Sequence, residues 1–129
     1  VGQDDLPPRD ARAQLGPAAI VGYSTHTHVQ VEDASSEPVT YIAVGPVFGT
    51  ATKETGYTAV GLELVRAAAT RPGGVPVVAI GGITLERAPG VVAAGASAVA
   101  VVADLFTGGD PRSRVAAYLR ALEPGPAGP

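Results

Sequence analysis

The chain has 129 residues, 46% of them hydrophobic, which is core material for one modest domain and no room for two. A formal net charge of −3 offers no basic surface, so neither nucleic acid nor an acidic membrane is an expected partner, and the absence of cysteine excludes disulfides, thiolate metal sites and cysteine nucleophiles. No apolar run approaches the roughly 20 residues that cross a bilayer, and no signal peptide precedes the first element, so a cytoplasmic protein with small-molecule ligands is expected.

In chain order, Val1-Gly2-Gln3 reads as the last residue of a strand entering a loop, a start in mid-domain. Pro8 to Leu15 opens on proline, holds good helix formers and stops at Gly16, predicting a short helix. The apolar run Ala19 to Tyr23 predicts a buried strand that delivers Ser24-Thr25-His26-Thr27 to a loop, and Thr27 is placed to cap a weak helix from His28 to Ser36. Thr40 to Val44 is the next strand. A long loop from Gly45 to Val60 precedes a helix over Gly61 to Thr70, with Leu62, Val65 and Ala69 on its packing face.

Val75 to Ile80 is apolar throughout, as a parallel strand covered on both faces would be, and it runs into Gly81-Gly82-Ile83-Thr84. Thr84 is a candidate N-cap for a helix from Leu85 to Ala94, with Arg87 at the third position where a capping box wants an acid. Ser97 to Val102 forms another apolar strand, Ala103 to Phe106 follows, and Arg112 to Leu122 closes as an amphipathic helix. The segment 123–129, rich in proline and glycine, is expected to be a disordered tail.

Strand and helix alternate, the pattern of a parallel sheet flanked by helices. A flavodoxin-like open sheet and part of a (β/α)8 barrel both satisfy it. Polar residues follow every strand, which favours the barrel, because an open sheet concentrates its ligand at one switch point. The predicted class is therefore α/β, a (β/α)8 TIM barrel of which residues 1–122 form about four βα units, a half-barrel, since four strands cannot close a barrel of eight.

The loop Gly45-Pro46-Val47-Phe48-Gly49-Thr50-Ala51-Thr52-Lys53 combines glycines, free N–H groups, two hydroxyls and one flexible ammonium. That set suits phosphate or diphosphate, whose oxygens backbone amides fix and whose charge a lysine neutralises. A solvated Thr/Gly turn with a surface lysine has the same composition. The residues on this stretch alone leave both open.

Five stretches, in order and with plausible spacings, resemble the thiamine phosphate synthase family: Gly2-Gln3-Asp4-Asp5-Leu6-Pro7, Gly22-Tyr23-Ser24-Thr25-His26-Thr27, the loop Gly45 to Lys53, Val77 to Ile83, and Ala98 to Val102. The resemblance extends to about Leu122 and concerns the family's C-terminal half, which implies that these units are the C-terminal half-barrel. It implies a (β/α)8 transferase that joins hydroxymethylpyrimidine diphosphate to a thiazole phosphate with Mg²⁺ and releases diphosphate. The implied chemistry is dissociative and asks mainly for charge stabilisation around the departing anion.

Carried over residue by residue, the resemblance makes Asp5 a Mg²⁺ ligand, Ser24 a diphosphate contact and Lys53 the diphosphate-binding lysine, the last two catalytic. Thr50, Ala51 and Thr52 would contact the thiazole phosphate, with Gly82, Val102 and Ala103 offering backbone N–H groups to it. Ala103 stands where the family usually has serine, and Gly49 replaces a common proline. The family's pyrimidine pocket also draws basic residues, an asparagine and a second aspartate from an N-terminal half that these residues do not include. His26 is expected to stabilise its loop, His28 to lie on the surface, and Glu63 to pair with Arg66. Two rivals stand beside the synthase: a thiazole tautomerase-like enzyme, with His26 in its Ser24-Thr25-His26 setting, and a non-catalytic phosphate-binding half-barrel. A homo-oligomer stays open, because a half-barrel exposes apolar strand edges.

Overall fold

The computed structural model describes residues 1–49, 56 and 58–124. Its elements are α1 (Pro8–Leu15), β1 (Gly22–Thr25), α2 (His28–Ala34), β2 (Tyr41–Val44), α3 (Gly61–Thr70), β3 (Val77–Ile80), α4 (Ala88–Ala93), β4 (Ala98–Ala100), a 3₁₀ turn (Ala103–Phe106) and α5 (Pro111–Leu122). The four strands form one parallel sheet in the order β1-β2-β3-β4. A doubly wound sheet reverses its order at a switch point. The consecutive order has no such reversal, so the flavodoxin-like alternative does not describe these strands.

Register divides the strand residues between two faces. Ile42 pairs with Val77 and Val44 with Ala79, and all four belong to one buried cluster with Val31, Leu64, Val65, Ala68 and Val91 from the helices. The alternate positions Ser24, Ala43, Val78 and Ala98 form a row on the opposite face, with Ile80 and Ala100 one step further along it. That face is open. Ile80 is 41% exposed and Ala98 is exposed too, so the expectation of strands covered on both faces is corrected: every helix of the core cluster packs on the other side.

The helices follow their local signals with two adjustments, and one strand starts later than expected. The packing face of α3 is Leu64, Val65 and Ala68, whereas Leu62 is half-buried and Ala69 is exposed, because the helix is rotated toward β2 and β3 from the expected stripe. Helix α4 starts at Ala88, with Thr84 to Arg87 forming a turn before it, and Pro89 sits in its first turn where its missing N–H costs nothing. Strand β1 begins at Gly22, not Ala19. Before it, Arg12 grips the carbonyls of Gly16, Ala19 and Pro38, and Val21 donates to the Thr40 hydroxyl, so Ala19 and Ile20 are held as a connection. Gly22 then admits the Tyr41 ring, which any side chain at 22 would overlap.

On the outer edge of β1, Val1 donates to Gly22 O at 2.8 Å and accepts from Ser24 N at 3.0 Å, the pattern of a parallel bridge. Thr27 caps α2 as expected, accepting from Gln30 N. Glu63 lies 3.8 Å from His28 on the surface, so its partner is His28 where Arg66 was expected. The extended Glu123 ends α5, and residues 125–129 of the expected tail lie outside the described residues.

Candidate functional site

Because all four strands are parallel, their C-terminal ends share one rim, and the loops there enclose a cavity of about 330 Å³. Ser24 and His26 line it from the end of β1, Gly45 and Pro46 from β2, Ile80 to Ile83 from β3, and Ala100 to Asp104 from β4.

Ser24 is fixed through its backbone, donating to Val1 O and accepting from Gln3 Nε2 at 2.7 Å. Its side chain is half-buried on the row that faces the open side of the sheet. His26 places Nδ1 at 2.7 Å from Gly45 O, and a carbonyl only accepts, so Nδ1 carries the hydrogen. Its own N–H donates to Gln30 Oε1. These contacts give His26 the loop-holding role expected of it.

The β2 loop lies on the end of β3. Val47 N–H donates to Ile80 O at 2.9 Å and Phe48 N–H to Gly81 O at 3.0 Å, while Val60 and Gly61 donate back to Pro46 O and Val47 O. Both sides of the loop are thus stitched to the scaffold, and Val47 is fully buried beneath it. Thr50, Ala51, Thr52 and Lys53, together with Tyr57, lie outside the described residues. Glycine is required opposite: Gly82 has φ +62°, and a side chain there would overlap Gly49 O and the Phe48 side chain.

At the end of β4, Val102 is half-exposed and Ala103 opens the 3₁₀ turn. Asp104, which the sequence did not single out, organises this corner. Its Oδ2 accepts from Leu85 N–H at 2.9 Å, from Arg114 Nε at 3.2 Å and from the Tyr118 hydroxyl at 2.5 Å, and its Oδ1 accepts from Arg114 Nη2 at 3.0 Å. Burial pushes the Asp104 carboxyl up, but the Arg114 fork, the Tyr118 hydroxyl and the Leu85 N–H outweigh it and hold the group below its ordinary value. Burial and the adjacent Asp104 raise the Tyr118 phenol well above its own. The available signal was Arg114 and Tyr118, polar groups four residues apart on one face of α5.

Ser24, Gly82, Val102 and Ala103 therefore meet around one cavity. Asp5 does not line it. Its Oδ2 accepts from Gly2 N–H at 2.6 Å, while Gln3, two residues earlier, reaches Ser24 O and also accepts from the Tyr23 hydroxyl. Tyr23 faces that bond and not the cavity. Among the described residues no three His, Asp or Glu side chains converge as a metal cluster, and no helix is long and apolar enough to cross a membrane.

The family model for thiamine monophosphate synthase matches residues 1–105. The chain is 46% identical over 122 residues to the thiamine-phosphate synthase of Koribacter versatilis, covering 95% of this chain and 56% of that one. It is 48% identical over 116 residues to the thiamine-phosphate synthase of Mycobacterium marinum, covering 90% and 52%. Among solved structures, thiamine phosphate pyrophosphorylase from Pyrococcus furiosus superposes with a TM-score of 0.81 at 27% identity, over 94% of this chain and 56% of the other. The chain thus spans about half the length of the curated relatives it matches. By the extent of the family match, which covers most of its length, the chain belongs to the thiamine monophosphate synthase family.

Proposed function

We propose that this chain forms the thiazole-phosphate side and part of the diphosphate side of a thiamine phosphate synthase, its four consecutive strands being four of the eight in a (β/α)8 barrel. The observation that carries this is the meeting of Ser24, Gly82, Val102 and Ala103 at one cavity on the shared strand rim. Backbone N–H groups near Gly82 and Ala103 would take the thiazole phosphate, joined by Thr50 to Thr52, and Lys53 with Ser24 would stabilise the departing diphosphate. Ala103 suffices for a backbone contact, which needs no hydroxyl.

Asp5 suits Mg²⁺ in donor chemistry, an exposed hard-oxygen carboxylate oriented by the Gly2 N–H, although it stands off the residues that line the cavity; Mg²⁺ commonly takes one or two carboxylates beside substrate phosphates. The ion would supply charge neutralisation on the diphosphate. The chain's own residues orient the two anions and offer an apolar wall, Ile80, Ala100 and Pro46, beside them.

Incubation with both substrates and Mg²⁺, with diphosphate release as the readout, tests the reading. Lys53→Ala should lower turnover on the order of 10²-fold, the cost of one charge-stabilising donor, and by far more than His26→Ala. The reverse order would favour the tautomerase-like alternative. Binding of thiazole phosphate with no diphosphate release would support the binding-only half-barrel.

A further inference from the structure

Arg87 stands at the third position after Thr84, where a capping box would carry an acid, and the role just described does not use it. Its backbone N–H serves the turn, donating to Thr84 O at 3.0 Å. Its guanidinium does two other things at once. Nη1 donates to Gly82 O at 2.9 Å, and Cζ lies 4.5 Å from the centre of the Phe48 ring. One side chain therefore clamps the β3 loop to the β2 loop from outside the cavity.

The consequence lies in the peptide planes. In a trans peptide the C=O and the following N–H point to opposite sides. Phe48 N–H holds Gly81 O, which turns Gly82 N–H away from the Phe48 backbone. Arg87 holds Gly82 O, which turns Ile83 N–H away from Arg87. Gly82 and Ile83 both line the cavity. Gly82, at φ +62°, is the residue with most freedom to rotate those planes if the clamp were lost.

We infer that Arg87 is a positioning residue for phosphate binding: by holding the Gly82 carbonyl while stacked on Phe48, it fixes the direction in which the Gly82 and Ile83 amides are presented. This rests on the phosphate-binding reading of Gly82. A planar guanidinium is needed, because an ammonium donates but does not stack as a plate on a ring while keeping a fixed fork.

The test is titration calorimetry of the chain with thiazole phosphate and with inorganic phosphate, for wild type, Arg87→Ala and Arg87→Lys, alongside the amide resonances of Gly82 and Ile83. Both variants should bind roughly tenfold more weakly, the factor that about 1.4 kcal/mol represents, with the two amides shifted and those of α5 unchanged. Wild-type affinity in Arg87→Lys would mean that the charge acts through its field alone and would overturn positioning, as would unchanged affinity in Arg87→Ala. Should Arg87→Ala fail to fold, Arg87→Lys decides. A wild-type chain that binds neither probe overturns the phosphate reading of Gly82 and the inference with it, an outcome distinguishable because it needs no variant.

Discussion

Asp104→Asn keeps the shape of the side chain and removes its charge, turning one acceptor oxygen into an NH₂ that faces donors. The wild-type carboxylate is 10% exposed and accepts from Leu85 N–H, the Tyr118 hydroxyl and the Arg114 fork. Hydrogen bonds to a charged group contribute roughly 1.5–3 kcal/mol each and do not add fully. The Arg114 side of the pair is 26% exposed and screened, so a discounted total of about 2 kcal/mol is expected for Asp104. For a chain of this size that is a melting shift of roughly 8 °C. The pH dependence follows from the depressed carboxyl. The folded state binds this proton less readily than the unfolded chain, so the contribution is complete above the ordinary value of 3.8 and is lost as pH falls through the lower, folded value. Thermal melts of wild type and variant should therefore differ by that shift at neutral pH and converge in acid. A neutral-pH difference under about 2 °C, or one that persists undiminished in acid, would refute the brace.

Two further substitutions test the packing that carries the site. Gly95→Ala puts a side chain at φ +112° and 2.5 Å from the Ala69 methyl, and urea unfolding should show a loss of about 2 kcal/mol or more. Adding Ala69→Gly should recover only the overlap; full recovery would mean the backbone term is absent. Thr25→Val removes a hydroxyl that is fully buried and donates to Ala43 O at 2.9 Å, leaving that carbonyl one bond poorer at a cost of about 1 kcal/mol. A neutral or stabilising result in the same assay would show that the bond contributes nothing between β1 and β2.

What the sequence makes legible here is punctuation. Pro8 and Gly16 bound α1, Thr70 ends α3 just before Arg71-Pro72-Gly73-Gly74, and the polar residues after each apolar run fall on the rim that the parallel sheet creates. Gly82 could be singled out because a glycine after a strand marks close approach, and it does approach the Phe48 loop. For Asp104 the sequence offered only the Arg114 and Tyr118 pair on α5, and nothing local ties that pair to it, since its partners stand 10 and 14 residues later on a helix face and 19 residues earlier on a loop. Nor was the open sheet face legible: Val75 to Ile80 reads as apolar on both sides, while coverage depends on what the rest of a sheet brings to it. Thr84 likewise signals a helix start, yet Thr84 to Arg87 forms a turn and α4 begins only at Ala88, with Arg87 engaged by Gly82.

The bonds that hold the rim run in strand order. His26 Nδ1 donates to Gly45 O, joining the loops after β1 and β2. Val47 and Phe48 donate to Ile80 O and Gly81 O, joining the loops after β2 and β3. Leu85 N–H donates to Asp104, joining the loops after β3 and β4. Each link uses a backbone group on at least one side, so what it fixes is the path of the chain and not one side chain's rotamer. The proposed phosphate site would demand this, because its amides would come from different loops and have no side-chain freedom with which to correct a misplaced backbone. Under the proposed phosphate reading, the His26 contact to Gly45 would serve as a fastener, and the Arg114, Tyr118 and Leu85 bonds would neutralise the carboxylate that Asp104 places in the cavity wall, which would otherwise oppose an anion there.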